Sequence, residues 1–212
     1  EELNSLVCKY DEITKKFRFL INPKSKKGFN IDWRIEENKS RPIQLNMGWI
    51  LGYRQQYYNW ENVQDMISDI VQQIAVDGDN FKPDYVVGLT RGGLIPATML
   101  SHYFEVPMHT LEVKLRDHAT TPESNKWMAQ DAVDGKNILI VDDINDTGDT
   151  LAWIKQDWNK QGEINWPANI RFAVLTENQP SKFGDVDYVS KFINKDENPS
   201  WIVYPWEEWW AI

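Results

Sequence analysis

The sequence predicts an α/β protein, a parallel sheet with helices on both faces, preceded by an N-terminal extension that contains a β-hairpin. Three observations predict it. From Trp60 onward, short apolar runs alternate with helical patterns. Those runs are apolar at nearly every position, as strands covered on both faces must be. Before that point the pattern is different, with period-two alternation and clustered turn residues. The expected division is an extension over residues 1–56 and a main domain over residues 57–212.

In the extension, Phe17 to Ile21 and Phe29 to Ile35 read as strands, the second placing Phe29, Ile31, Trp33 and Ile35 on one face. Asn22-Pro23-Lys24-Ser25-Lys26-Lys27-Gly28 lies between them and supplies turn chemistry, so a hairpin with a basic tip is expected. Residues 61–76 then put Val63, Met66, Ile67, Ile70, Val71 and Ile74 at three- and four-residue spacing, an amphipathic helix. Tyr85 to Leu89 is a short apolar strand ending at Thr90-Arg91-Gly92-Gly93. A helix follows at 94–104, with Pro96 early, where its missing N–H costs little. Val106 to Leu115 reads as a strand and 116–131, polar and irregular, as a long loop. Asn137 to Val141 is a strand, Asp142 to Gly148 a turn, and 149–160 a helix carrying Leu151, Ile154 and Trp158. Strands at 170–176 and 186–192 close the series.

Composition excludes several classes of function. Cys8 is the sole cysteine and only His102, His109 and His118 are present, so no intrachain disulfide can form and a histidine metal cluster is not expected. No apolar run approaches the length of a membrane span, and the acidic start Glu1-Glu2 does not resemble a signal peptide. A cytoplasmic, reducing setting is expected, with no membrane partner. The net charge of −9 argues against a nucleic-acid partner, which requires a broad positive surface. The charge is uneven: residues 1–56 hold 11 Lys+Arg against 7 Asp+Glu, and the remainder 12 against 25. Eleven tryptophans are present, several near the end as Trp201, Trp206, Trp209 and Trp210; as a class they are large fillers of core and interface.

Ligands of an open parallel sheet bind beyond the carboxyl ends of its strands, and two strand ends here suit phosphate chemistry. The first is Val141-Asp142-Asp143-Ile144-Asn145-Asp146-Thr147-Gly148-Asp149-Thr150. Between strand and helix, the backbone N–H groups and hydroxyls of Asp146 to Thr150 can surround a phosphate at the helix N-terminus. Gly148 permits close approach of the backbone. Asp142 and Asp143 can accept hydrogen bonds from two adjacent sugar hydroxyls or hold Mg²⁺, a hard cation that prefers oxygen. Helix capping accounts for one of these acids, such as Asp146, but not for all of them together with Thr-Gly-x-Thr. There is neither GxxxxGK[ST] nor GxGxxG. The second strand end, Thr90-Arg91-Gly92-Gly93, offers a cation and N–H groups at a helix start. Alone it is a weak signal.

Together the two segments resemble the signature of type I phosphoribosyltransferases, which bind phosphoribosyl pyrophosphate (PRPP); the resemblance covers about residues 60–210. It implies the type I phosphoribosyltransferase fold and an enzyme that transfers the phosphoribosyl group to a purine base, with Mg²⁺ as cofactor and release of pyrophosphate. It further implies Asp142 and Asp143 on the ribose hydroxyls, with Asp143 a metal ligand, and Asp146, Thr147, Gly148, Asp149 and Thr150 around the 5′-phosphate. Asp149 is expected to turn its side chain away and offer only its N–H. Thr90, Arg91, Gly92 and Gly93 become the pyrophosphate loop, with a cis peptide expected at Thr90–Arg91. The loop at 116–131 becomes a lid, with Lys114, Arg116 and Lys126 reaching for pyrophosphate. Asp146 would manage the proton at N7 of the base.

The run Trp201-Ile202-Val203-Tyr204-Pro205-Trp206-Glu207 resembles the ending of xanthine–guanine and archaeal-type purine phosphoribosyltransferases. This implies that Trp201 stacks on the purine and that the backbone from Ile202 reads its edge. In such 6-oxopurine enzymes a lysine after the strand that follows the PRPP helix contacts the 6-oxygen. An ungapped match puts Asn178 there; a small shift brings in Lys182. The expected partners are PRPP and a 6-oxopurine, in a homo-oligomer, dimer or tetramer. The alternatives are a phosphoribosyltransferase of different base specificity and a PRPP- or nucleotide-binding regulator without turnover.

Overall fold

The computed structural model describes residues 7–11, 16–20, 54–113, 126–166 and 169–210. The chain divides into two compact units, Glu1–Leu45 and Asn46–Ile212. In the first, β1 (Val7–Asp11) pairs antiparallel with β2 (Lys16–Leu20), Val7 facing Leu20 and Asp11 facing Lys16. The strand expected near Phe17 is therefore present, but its partner precedes it. The short connection over residues 12–15 makes that local pairing the one with the lower closure entropy. The strand expected at 29–35 and the basic tip at 22–28 lie outside the described residues.

The second unit runs β3 (Arg54–Tyr57), α1 (Trp60–Val76), β4 (Tyr85–Leu89), α2 (Leu94–Phe104), β5 (Met108–Leu111), α3 (Lys126–Val133), β6 (Ile138–Asn145), α4 (Asp149–Trp158), β7 (Ile170–Asn178), β8 (Tyr188–Ile193) and β9 (Ser200–Val203). Helix α1 begins where its sequence provides a reciprocal cap. Asn59 Oδ1 accepts from the Asn62 N–H at 2.8 Å, and Asn62 Oδ1 accepts from the Asn59 N–H at 3.0 Å. The loop expected through residue 131 stops earlier, since Lys126–Val133 is helical. Met128, Ala129 and Ala132 bury one face of that helix, an apolar stripe too short to stand out as a period.

Five strands form one parallel sheet in the order β5-β4-β6-β7-β8. Alternate side chains divide between two cores, as strand geometry requires. Val86, Leu139, Val141, Ala173 and Leu175 pack with α1 and α2, whereas Val87, Leu89, Ile138, Ile140, Phe172 and Val174 pack with α3 and α4. Burying both faces explains why these strands read as continuous apolar runs. Below the sheet, the buried Arg171 at the start of β7 pairs with Asp79, with Asp187 at 3.3 Å and with Asp77 at 3.5 Å. Those contacts tie β7 to the turns that flank α1 and β8.

The topology fixes the place of the site. After β4 the chain moves outward to β5, then returns past β4 to lay down β6. The connections leaving β4 and β6 therefore part to opposite faces and open a crevice between the two strand ends. Two smaller features sit beside it. β3 and β9 pair in parallel, Arg54 with Ser200 and Tyr57 with Val203, so the beginning and end of this unit meet. Strand β6 extends to Asn145 rather than ending at Val141, because Asp142, Ile144 and Asn145 keep pairing with Val174, Thr176 and Glu177 of β7.

Candidate active site

A cleft of ≈ 300 Å³ opens at the β4/β6 crevice, lined on one side by Thr90, Arg91 and Gly92. Its floor and second wall are Asp142 to Gly148, Thr150 and Leu151, and its remaining wall is Lys195, Trp201, Ile202, Tyr204 and Glu207. Asp142 and Arg91 thus share one cleft, as the sequence reading requires. The Thr90–Arg91 peptide bond is cis, as expected.

Close packing holds the two strand ends together, and glycines make it possible. A Cβ added to Gly92 would fall on the Asp143 carboxylate, and one added to Gly93 would fall on the Val141 carbonyl, 2.9 Å from the Leu89 nitrogen. The neighbours of Gly93 are backbone, so nothing can swing aside. Gly93→Ala is expected to lose about 1–3 kcal/mol from overpacking, and about 2–4 °C of Tm per kcal/mol in a chain of this size. Thermal unfolding checks this; an unchanged Tm would mean that β4 and β6 can spread. Gly148 caps α4 in the left-handed region at φ 86°, where a Cβ would strike the Phe183 N–H and lie 2.7 Å from Ser181 Oγ.

The two neighbouring acids carry the strongest electrostatic signal. Asp142 is held well above the usual carboxylate range, first by burial and then by the charge of Asp143. The Asp143 N–H donates to Asp142 Oδ1 at 3.0 Å, and the Gly93 N–H also donates to this carboxylate; both oppose the rise. Asp143 is pushed up to about 6, mainly by burial, with the charge of Glu207 adding to it. The Ile144 N–H donates to Asp143 Oδ1 at 2.8 Å. From the other wall, the Tyr204 hydroxyl donates to the Asp143 carbonyl at 2.8 Å and lies 2.8 Å from Thr176 Oγ1. The C-terminal segment is thereby fastened to the acid pair.

Four carboxylates line the cleft, Asp142, Asp143, Asp146 and Glu207, against two cations, Arg91 and Lys195, among the described residues. A phosphate-bearing ligand would meet an acid excess here unless a dication came with it. Among the described residues no three His, Cys, Asp or Glu side chains converge to cage a metal. Mg²⁺ on a phosphate substrate needs only one or two carboxylates, the phosphate oxygens and water supplying the rest. The paired Asp142 and Asp143 fit that requirement.

The structure brings together most of the residues expected from sequence. Thr147, Gly148 and Thr150 lie at the start of α4, and Trp201, 38% exposed, lines the cleft with Ile202. Asp149 turns out toward Lys182, 3.6 Å away, and accepts from Thr147 Oγ1 at 3.1 Å, so neither Asp149 nor Lys182 lines the cleft. The Gly93 N–H is directed at Asp142 rather than open to a ligand. Lys126 opens α3, exposed and outside the cleft lining; Lys114 and Arg116 lie outside the described residues.

Asn178 departs from its expected place. It is 7% exposed and does not line the cleft. Its amide donates to the Asp146 carbonyl at 2.9 Å and to Asp146 Oδ1 at 3.3 Å, and its oxygen accepts from the Lys195 N–H at 3.0 Å. Its hydrogen bonds tie the Asp146 loop to the turn at Lys195. Sequence reasoning missed Lys195 and Glu207. Lys195 Nζ lies 2.8 Å from Asp146 Oδ1 and 5.9 Å from the Trp201 ring centre. Glu207 accepts from the Tyr204 N–H at 2.9 Å and lies within electrostatic reach of Arg91. Glu207 was within the quoted terminal run; Lys195 carried no pattern.

The profile of the phosphoribosyl transferase domain matches residues 54–211. The hypoxanthine-guanine phosphoribosyltransferase of Saccharomyces cerevisiae is 24% identical over 192 residues, covering 72% of this chain and 85% of that relative. The xanthine-guanine phosphoribosyltransferase of Cereibacter sphaeroides is 29% identical over 156 residues, covering 71% and 86%. Among solved structures, the purine phosphoribosyltransferase of Pyrococcus horikoshii Ot3 superposes with a TM-score of 0.56 at 29% identity, over 73% of this chain and 94% of that one. No helix among the described residues is long and apolar enough to cross a membrane.

Proposed function

The chain belongs to the phosphoribosyl transferase domain family, and from that premise we propose that it transfers the phosphoribosyl group of PRPP to a 6-oxopurine, releasing pyrophosphate and a nucleoside monophosphate. The observation that carries the reading is the shared cleft, in which the acid pair, the α4 phosphate cradle, Arg91 and the Trp201 face meet. Its relatives from Saccharomyces cerevisiae and Cereibacter sphaeroides, named for hypoxanthine-guanine and xanthine-guanine transfer, support the class of base.

Each wall has a part in the reaction. The Thr147 and Thr150 hydroxyls and the amides around Gly148 hold the 5′-phosphate at the N-terminus of α4, where the helix dipole favours an anion. Asp142 and Asp143 accept from the adjacent ribose hydroxyls and fix the sugar over the floor. Arg91 and the Gly92 amide face the pyrophosphate and draw off its growing charge as the bond at C1 of the ribose lengthens. Trp201 stacks the base, and Asp146 takes the proton that the base sheds as its nitrogen bonds to C1. Asp143, with Asp142 beside it, would hold Mg²⁺, which when bound would neutralise charge on the leaving pyrophosphate.

Purified protein with PRPP and Mg²⁺ is expected to release pyrophosphate with at least one of hypoxanthine, guanine and xanthine. A base panel with a pyrophosphate assay checks this. PRPP binding without turnover on any base would instead indicate a regulator.

A further inference from the structure

The loop at the start of α4 is held from behind by a segment, residues 178–183, that does not line the cleft. Two carbonyls of the loop are engaged there. The Asn178 amide donates to the Asp146 carbonyl at 2.9 Å, and the Lys182 N–H donates to the Thr147 carbonyl at 3.1 Å. Asp146, Thr147 and Gly148 themselves line the cleft. Both peptides are trans, and in a trans peptide the C=O and N–H point in opposite directions. Holding the two carbonyls back toward residues 178–183 therefore turns the N–H groups of Thr147 and Gly148 forward, to the cleft side. Among the described residues neither N–H has a backbone partner.

The segment behind the loop is fixed in its turn. The Ser181 N–H donates to the Asn178 carbonyl at 2.7 Å. The Phe183 carbonyl accepts from the Asn145 amide at 2.9 Å, and the same amide nitrogen donates to the Glu177 carboxylate at 2.9 Å. Asn145 and Glu177 are both buried, and a buried carboxylate requires such a partner. The Phe183 nitrogen packs so closely on Gly148 that a Cβ there would strike it. We infer that residues 178–183 are a brace that aims the phosphate-binding amides. Asn178 and the Lys182 N–H are its contacts on the loop, and the Glu177–Asn145 pair is its anchor. Asn178, Asn145 and Glu177 are thus positioning residues. Gly148, at φ 86°, leaves the loop many backbone conformations. Amides already turned toward the anion bind it without the cost of ordering them. The inference rests on the proposed reading of this loop as the cradle of the 5′-phosphate.

The test reads what a 5′-phosphate adds to binding. Calorimetry would measure guanosine monophosphate and guanosine on the wild type, Asn178→Leu, Lys182→Pro and Lys182→Ala. The ratio of the two affinities isolates the phosphate. The two Lys182 variants lose the same exposed side chain, but only proline also removes the N–H that holds the Thr147 carbonyl. The wild type is expected to prefer the monophosphate. Asn178→Leu and Lys182→Pro should each lower the ratio by about 10–100-fold, the range for hydrogen bonds to a charged group, with guanosine affinity kept. Lys182→Ala should keep the wild-type ratio. Thermal melts identify the folded variants, and if Lys182→Pro does not fold, Asn178→Leu decides. An unchanged ratio in either folded variant would overturn the brace. So would equal loss of both ligands, or a fall in Lys182→Ala as large as in Lys182→Pro. A wild type that does not prefer the monophosphate would overturn the cradle and the brace with it. A phosphate preference that the variants lose as expected, without turnover on any base, would overturn the proposed reaction and support the brace.

Discussion

Asp146→Asn lowers the turnover number by about 10²–10⁴-fold, the range for loss of a positioned general acid–base group, while PRPP affinity changes little. The carboxylate lies at the meeting point of the α4 phosphate cradle and the Trp201 wall, in contact with Lys195 and Asn178. It shares the cleft with Trp201, linked to it through the Lys195 ammonium, and an amide in its place cannot accept the proton. The phosphate contacts come from Thr147, Gly148 and Thr150, which keep their places, because the Asn178 amide still bonds the carbonyl of residue 146. The measurement is a comparison of kcat with the PRPP dissociation constant. Parallel losses in both would mean that Asp146 shapes the phosphate loop and handles no proton.

Replacing the acid pair should act in the opposite direction on stability and function. Asp142→Asn and Asp143→Asn are expected to weaken PRPP binding in Mg²⁺ by about 100-fold or more, since hydrogen bonds to an anion and a metal ligand are lost together. In metal-free buffer at pH 8 the same variants should melt a few degrees higher than the wild type. The sign follows from the raised values. Asp143 titrates near 6 in the folded chain and near ~3.9 in an unfolded one. Between those values the folded state binds more protons, so the Asp143 contribution to stability falls as pH rises from about 4 to about 6 and then levels off. Burial penalises the charged form and is the largest cause of the rise for both acids. The gain of Asp143→Asn should therefore be full above pH 6 and fade toward pH 4, and that of Asp142→Asn should likewise grow as pH rises. Thermal melts across that range check it; variants that melt lower at pH 8 would mean that the carboxylates hold the strand ends together.

Such a stability loss at a binding site is the usual companion of function. Here it has a visible structural source. The Gly92 and Gly93 backbone packs so closely on Asp142 and Asp143 that no side chain fits between them, and Tyr204 closes the other side. The acids are concentrated where a metal and a polyphosphate would neutralise them, not where the empty fold would prefer them.

Much of this arrangement was legible in the chain. Helical spacing of apolar residues marked α1 and α4, the early Pro96 after the Gly92-Gly93 turn marked α2, and continuous apolar runs marked the sheet strands, because burial on both faces leaves such a run. The Asp142 to Thr150 run and the Thr90 to Gly93 turn announced the phosphate chemistry, because backbone amides, glycine and acids must be adjacent in sequence to form a strand-to-helix cradle. Features built from distant parts left no such mark. The β3/β9 pair joins short segments from the two ends of a unit, and its register depends on the sheet already being formed. The α3 helix was hidden by a polar surface and a narrow buried stripe.

Two assignments turned on tertiary structure alone. Local sequence placed an amide, Asn178, where a base reader was expected; three-dimensional packing turned it into a strut, because its donors were already taken by the Asp146 loop. The same packing drew Lys195 across from the β8–β9 turn to Trp201. The sequence by itself determined the α/β class, the phosphate cradle and the acid pair, since each depends on neighbours along the chain. Which side chains join Trp201 at the cleft was decided only by the fold, because a contact between two loops depends on where distant backbones come to rest.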